Sequence, residues 1–147
     1  MRRVVLGVAV VGFALLAPVR PASAVTVDSV GDSFTVDFLG NVGGNDVAGL
    51  TASALVSVQS ISGNTMRLSV TLENSSSALW QSTRVSAFGF NTGANISSAS
   101  LSSSVFGNAN LGGHFPNGFG GVDVCIINNR NNCTGGGSGG LTIGQST

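Results

Sequence analysis

Two cysteines, a single histidine and a single tryptophan are the residues of this chain with the most selective chemistry. Cys125 and Cys133 enclose the seven residues of "IINNRNN" and are followed by "TGGGSGG". Such a pair can close as a disulfide, ligate a metal or stay as free thiols. Zinc requires four ligands, and His114, the only histidine, stands outside any metal-type spacing. A Cys-x-x-Cys redox pair is absent. In an oxidising compartment a lone pair of thiols closes, and the asparagine-rich loop lets the two Cα atoms approach within bonding distance. The reading is a Cys125–Cys133 staple, with free thiols as the alternative, and the compartment decides between them. On chain-entropy grounds so small a loop contributes about 2.5 kcal/mol.

Catalytic arrangements are not indicated. His114 has no carboxylate or nucleophile at a telling spacing, serines are too many to single one out, and no Gly-x-Ser-x-Gly elbow occurs. The acids are dispersed, so a glycosidase pair has no sequence support. No catalytic residue, metal ligand or cofactor is assigned. Two glycine-aspartate stretches, "GGNDVAGL" and "GFGGVDV", faintly resemble a calcium-binding repeat that works only as stacked copies. Asp46 and Asp123 therefore read as turn aspartates, with calcium ligation in a loop as the alternative. Trp80 is a packing residue on this reading, with ligand stacking, as in a carbohydrate-binding module, as its functional alternative. Asn74, Asn95 and Asn132 each begin a glycosylation sequon, which carries little meaning in an Asn- and Ser-rich chain.

The N-terminus supplies the compartment. "MRRVVLGVAVVGFALLAPVRPASAV" has a positive start at Arg2 and Arg3, an apolar run from Val4 to Val19, and small residues at Ala22-Ser23-Ala24. This is the layout of a secretory signal peptide over residues 1–24, cut after Ala24, and the apolar run is too short for a transmembrane helix. The domain is residues 25–147. There Arg67, Arg84 and Arg130 face six acids, and the chain has no lysine and no tyrosine. Three scattered arginines cannot neutralise a row of phosphates, so nucleic acid is excluded as a partner. Attraction to anionic lipid fails for the same reason.

The elements that must position these residues are strands. Val25–Val30 and Ser33–Leu39 are short β-type runs, and "NVGGNDVAG" reads as a loop. In "LTASALVSVQ" Leu50, Ala52, Ala54, Val56 and Val58 share a face; in "TMRLSVTLE" Met66, Leu68, Val70 and Leu72 do. Alternation of this length marks half-buried strands. Opposed side chains share a face, so Val58 must pair with Leu68, Val56 with Val70 and Ala54 with Leu72. A three-residue loop, Ser62-Gly63-Asn64, satisfies that parity. Thr83–Gly93 reads as a central strand, "ANISSASLSSSVF" as a weak edge strand, "GNANLGGHFPNGFGG" as a long irregular loop and Val122–Ile127 as the last full strand. No window carries helical periodicity with caps. The expected fold is an all-β, antiparallel β-sandwich, jelly-roll or Ig-like. Leu141 and Ile143 look like the start of a strand with nothing after it, so the sandwich is expected to be incomplete at its C-terminus.

The stretches "GLTASALVSVQSISGNTMRLSVTLEN", "AFGFNTGANISSASL" and "FPNGFGGVDVCI", with the later "NC" and "GGGSGGLTIG", resemble the bacterial cistern family of PEP-CTERM proteins. The similarity spans most of residues 25–147. It implies a secreted Gram-negative surface or matrix protein associated with exopolysaccharide and biofilm, with Cys125 and Cys133 as a structural pair and no catalytic residues. Family members are processed by an exosortase at a C-terminal Pro-Glu-Pro signal, an apolar helix and basic residues. This sequence has none of these, so it reads as a truncated chain or as a member without its sorting signal, and exosortase is a partner only if that signal exists. The expected function is a secreted, non-catalytic surface or extracellular-matrix protein, with exopolysaccharide or surface proteins as partners. A carbohydrate-binding module is the alternative, and a secreted hydrolase the least favoured.

Overall fold

The computed structural model describes residues 24–43, 45–80, 82–115, 120–128, 133 and 139–147. The expected signal peptide lies outside these residues, apart from Ala24. Among the described residues the regular structure is entirely strand: β1 (Ser33–Val42), β2 (Asn45–Ser62), β3 (Thr65–Glu73), β4 (Arg84–Val85), β5 (Ala87–Phe90), β6 (Asn108–Phe115), β7 (Gly120–Ile127) and β8 (Leu141–Thr142). All pairings are antiparallel, in sheets of order β1-β2-β3, β4-β8 and β5-β7-β6. The all-β antiparallel class expected from the alternation is the class observed.

The β2–β3 hairpin shows how parity is satisfied. Ala54 pairs with Leu72, Val56 with Val70 and Val58 with Leu68, as the apolar faces require. The turn, however, has two residues, Gly63 and Asn64, with Ser62 paired to Thr65. The extra residue sits at Gln59, where the register shifts between Val58 and Ser60. A glycine-first two-residue turn is among the tightest hairpin connections, and Gly63 at φ 55 supplies the left-handed conformation it needs. The bulge then restores the alignment, so Ile61 still opposes Met66 beyond it.

Other expectations are corrected. Val25–Val30 is not a strand. "NVGGNDVAG" is not a loop but the end of the β1–β2 hairpin, with β1 running to Val42 and β2 starting at Asn45 around an irregularity opposite Gly40. The supposed long loop after Phe106 holds β6, laddered on β7 from Asn108↔Ile127 to Phe115↔Gly120. Pairing with a strongly apolar neighbour overrides the poor intrinsic preference of "NANLGGHF". Thr83–Gly93 divides into β4 and β5, neither central; β7 occupies the middle of its sheet. The weak edge strand over 94–106 is irregular, though Phe106 is buried.

The main core joins the two three-stranded sheets. Ala54 and Leu72 from one meet Phe88 and Ile126 from the other, with Phe106 and Leu141 completing the cluster. Phe38 of β1 meets Phe88 edge-on, ring centroids 6.2 Å apart. Four consecutive β7 residues, Val124 to Ile127, are buried. Successive strand side chains point to opposite faces, so this run needs cover on both. Ile126 joins the main core, while Cys125 and Ile127 form a second cluster with Cys133.

Leu141 does not stand as an unpaired strand start. It is 1% exposed, and β8 pairs with β4. Beyond it, Leu72 and Thr147 exchange both backbone hydrogen bonds at 3.0 Å, and Ser146 bridges Glu73.

Candidate functional site

The cysteines are joined: Cys125 and Cys133 form a disulfide with Cα atoms 6.0 Å apart, and no described cysteine is free. Both are buried. The bond lies against Gly113 of β6, where any Cβ would land on Cys133 Sγ. Close approach therefore demands glycine there. Buried sulfurs packed with Ile127, Ala87, Phe115 and Val122 are placed for cohesion of the outer face of β7 rather than for exchange with external thiols.

Trp80 ends a short turn in which its N–H donates to Ser77 O and its own carbonyl accepts from Thr83 N–H. Its indole Nε1–H donates to Ala48 O at 3.0 Å. The turn is tied to β2 again where Ser77 N–H donates to Gly49 O at 2.7 Å, and where the Ser76 hydroxyl and Thr51 backbone bond reciprocally. Trp80 keeps 40% of its surface exposed, beside Leu79 at 89%. The ring is thus pinned by its polar edge with part of its surface open. That geometry suits stacking on an apolar ring face, though packing against β2 remains its established contact.

On the other side of the β1–β2–β3 sheet from the core, the register aligns three rows: Ser33, Ser57 and Ser69; Thr35, Leu55 and Thr71; Asp37, Ser53 and Glu73. Hydroxyls dominate this exposed or half-exposed surface, with no basic side chain in those rows. Asp37 and Glu73 stand two strand spacings apart, about 10 Å, on an open sheet face.

His114 is exposed on β6 opposite Gly121, and no hydrogen bond or ion pair joins it to a carboxylate among the described residues. Asp46 Oδ1 accepts from Asn41 Nδ2 across the β1–β2 hairpin. Asp123 Oδ2 accepts from the Thr92 backbone at 2.8 Å and its hydroxyl at 3.3 Å, while Asp123 N–H donates to Asn91 Oδ1. Neither is the turn aspartate expected: Asp46 lies at the start of β2 and ties its hairpin to β1, while Asp123 lies within β7 and holds Asn91 and Thr92, just past the end of β5. No group of three His, Cys, Asp or Glu side chains gathers among the described residues.

Asn74 is the residue that sequence reasoning passed over. It is 1% exposed. Its Nδ2 donates to Leu141 O at 3.0 Å and Thr83 O at 3.2 Å, and its Oδ1 accepts from Ser76 N–H. Its backbone N–H donates to Gln145 O, and its carbonyl accepts from Gly144 N–H. One side chain thus joins the end of β3 to β4 and the C-terminal segment. The only signal in the sequence was its sequon, and the burial of Asn74 removes that reading for the folded chain. Asn95 is exposed, and Asn132 lies outside the described residues.

Comparison with known proteins gives no family model, no curated protein and no solved structure that matches this chain.

Proposed function

We propose that this chain is an exported, non-catalytic building block of a bacterial cell surface or extracellular matrix, associated with exopolysaccharide. The observation that carries the reading is the buried Cys125–Cys133 disulfide, because such bonds persist in oxidising compartments and are rare in the cytosol. It agrees with the leader-like residues 1–24 and with the resemblance to cistern PEP-CTERM proteins. The hydroxyl-rich outer sheet face adds a surface suited to hydrated, neutral polymers. No helix among the described residues is long and apolar enough to cross a membrane.

The test is expression of the full chain in a Gram-negative host, followed by fractionation and intact-mass measurement. Export predicts a species beginning at Val25, two mass units lighter than its reduced form, outside the cytoplasm. A chain retained in the cytoplasm with residues 1–24 attached and both thiols reduced would overturn it.

A second reading, a carbohydrate-binding module, is favoured by the pinned and part-open indole of Trp80. Trp80 is the sole tryptophan and tyrosine is absent, so intrinsic fluorescence reports on that ring alone. Saturable change on titration with a purified polysaccharide, lost in Trp80→Ala with the fold intact, supports the module. An unchanged spectrum across neutral and acidic polysaccharides rejects it.

A further inference from the structure

Residues 139–147 pack onto the sheets without being covalently stapled to them. The disulfide closes at Cys133, so residues 139–147 are attached only through their own backbone. Leu141 nevertheless fills a buried place among Ala54, Leu72, Phe88, Phe106 and Ile126. On one side its strand pairs with β4. On the other, the residues after it cap the edge of β3 through the Glu73–Ser146 bridge and the reciprocal Leu72–Thr147 bonds. Asn74 holds the segment at two places, by its side chain at Leu141 and by its backbone at Gly144 and Gln145. Filling a core and capping an edge is what an added strand does in β-augmentation. The sequence between Cys133 and Leu141 is "TGGGSGG", with five glycines in seven residues, and so many residues reach at most about 24 Å when extended.

We propose that this segment is exchanged between two copies of the chain, residues 141–147 of each filling the groove beside β3 and β4 of the other. Every contact named above is the same whether the donor is the same chain or a second copy. Exchange therefore sacrifices no interaction, and protein concentration against the local concentration imposed by the tether decides the outcome. The occupant is specified by the groove: it takes an apolar side chain at the Leu141 position and backbone groups in register with Leu72, Glu73 and Asn74, which a second copy presents. The proposal rests on these contacts alone and holds whether or not the chain is exported.

The test places one new cysteine in each of two differently tagged chains, Glu73→Cys in one and Ser146→Cys in the other. Both positions are exposed, and antiparallel bridge partners lie at a Cα separation that a disulfide spans. The chains are unfolded together without reductant, refolded at high concentration and oxidised. A disulfide-linked heterodimer is expected at twice the monomer mass, absent when Asn64→Cys, at the far hairpin turn, replaces Glu73→Cys. A chain carrying both substitutions, refolded dilute, is expected to cross-link internally. Internal cross-linking with no heterodimer above the Asn64→Cys control would overturn the proposal. Failure of the internal cross-link would overturn it too, because the segment would then not lie on β3.

Discussion

Substituting Asn74→Asp exchanges one amide nitrogen for oxygen in a site 1% exposed, and the surroundings make that exchange severe. The nitrogen donates to two carbonyls, Leu141 O at 3.0 Å and Thr83 O at 3.2 Å. A carboxylate there would aim a charged acceptor at two acceptors in a desolvated place. Burial and repulsion both favour the neutral acid, so the new group's folded-state pKa lies above its unfolded value of about 3.9. The sign follows. Below about pH 4 the group is protonated in both states, and ionisation adds no cost there. As pH rises, the unfolded chain ionises first, and stability falls until the folded-state pKa is passed.

The magnitude has two parts. The neutral acid has one proton for two carbonyls, so one acceptor is left without its partner at any pH, a cost of about 1–3 kcal/mol. Keeping the acid neutral at pH 7, about 3 units above its unfolded pKa, adds about 4 kcal/mol at roughly 1.4 kcal/mol per unit. The sum approaches the whole stability of an ordinary domain, about 5–15 kcal/mol. Urea unfolding of wild type and variant with the disulfide intact, at one-unit steps from pH 3 to pH 7, measures the difference directly. The gap is expected to be flat at about 1–3 kcal/mol at the acid end and to widen by about 1.4 kcal/mol per unit above pH 4. Exposed Asn95→Asp is the control and is expected to change stability by less than about 0.5 kcal/mol at every pH. A pH-independent gap at Asn74, or one no larger than the Asn95 control, would refute the burial and bonding on which the reasoning rests.

Replacing both Cys125 and Cys133 with alanine is expected to cost about 2.5 kcal/mol from loop entropy and to lower Tm by about 10 °C in a calorimetric scan. Gly113→Ala is expected to destabilise the oxidised protein by about 1–3 kcal/mol, because its methyl meets Cys133 Sγ. In the double-alanine background that penalty should shrink, a coupling that a double-mutant cycle by denaturant unfolding detects. Deleting Gln59 removes the bulge while leaving Val58↔Leu68 and Ile61↔Met66 in register, so stability should fall by less than about 1 kcal/mol. Deleting Thr71 from β3 instead turns successive side chains to the wrong face and should abolish cooperative unfolding.

What could be read from the residues alone was governed by parity. Alternation assigned Ala54, Val56 and Val58 to the same face as Leu68, Val70 and Leu72, and those pairs form. Parity requires an odd number of inserted residues but is silent on where the odd one goes. The turn and the bulge at Gln59 satisfy it equally well, and the tightness of a Gly-Asn turn favours the bulge. The same reasoning fails wherever an element draws its stability from a distant neighbour. Asn108–Phe115 has no alternation to find, yet the apolar edge of β7 makes it a strand.

Asn74 is the extreme of that dependence, since its amide finds Leu141 at a separation of 67 residues. The segment it holds is too short to carry a period: β8 is two residues long. Its importance comes from the position of one leucine and from an edge of β3 that would otherwise be open. An edge left open invites pairing with any available strand. In this fold the strand that answers follows the glycine-rich sequence after the Cys125–Cys133 staple. The groove beside β3 and β4 recognises a sequence, therefore, and not a particular chain, and that distinction is what the cross-linking of Glu73→Cys to Ser146→Cys measures.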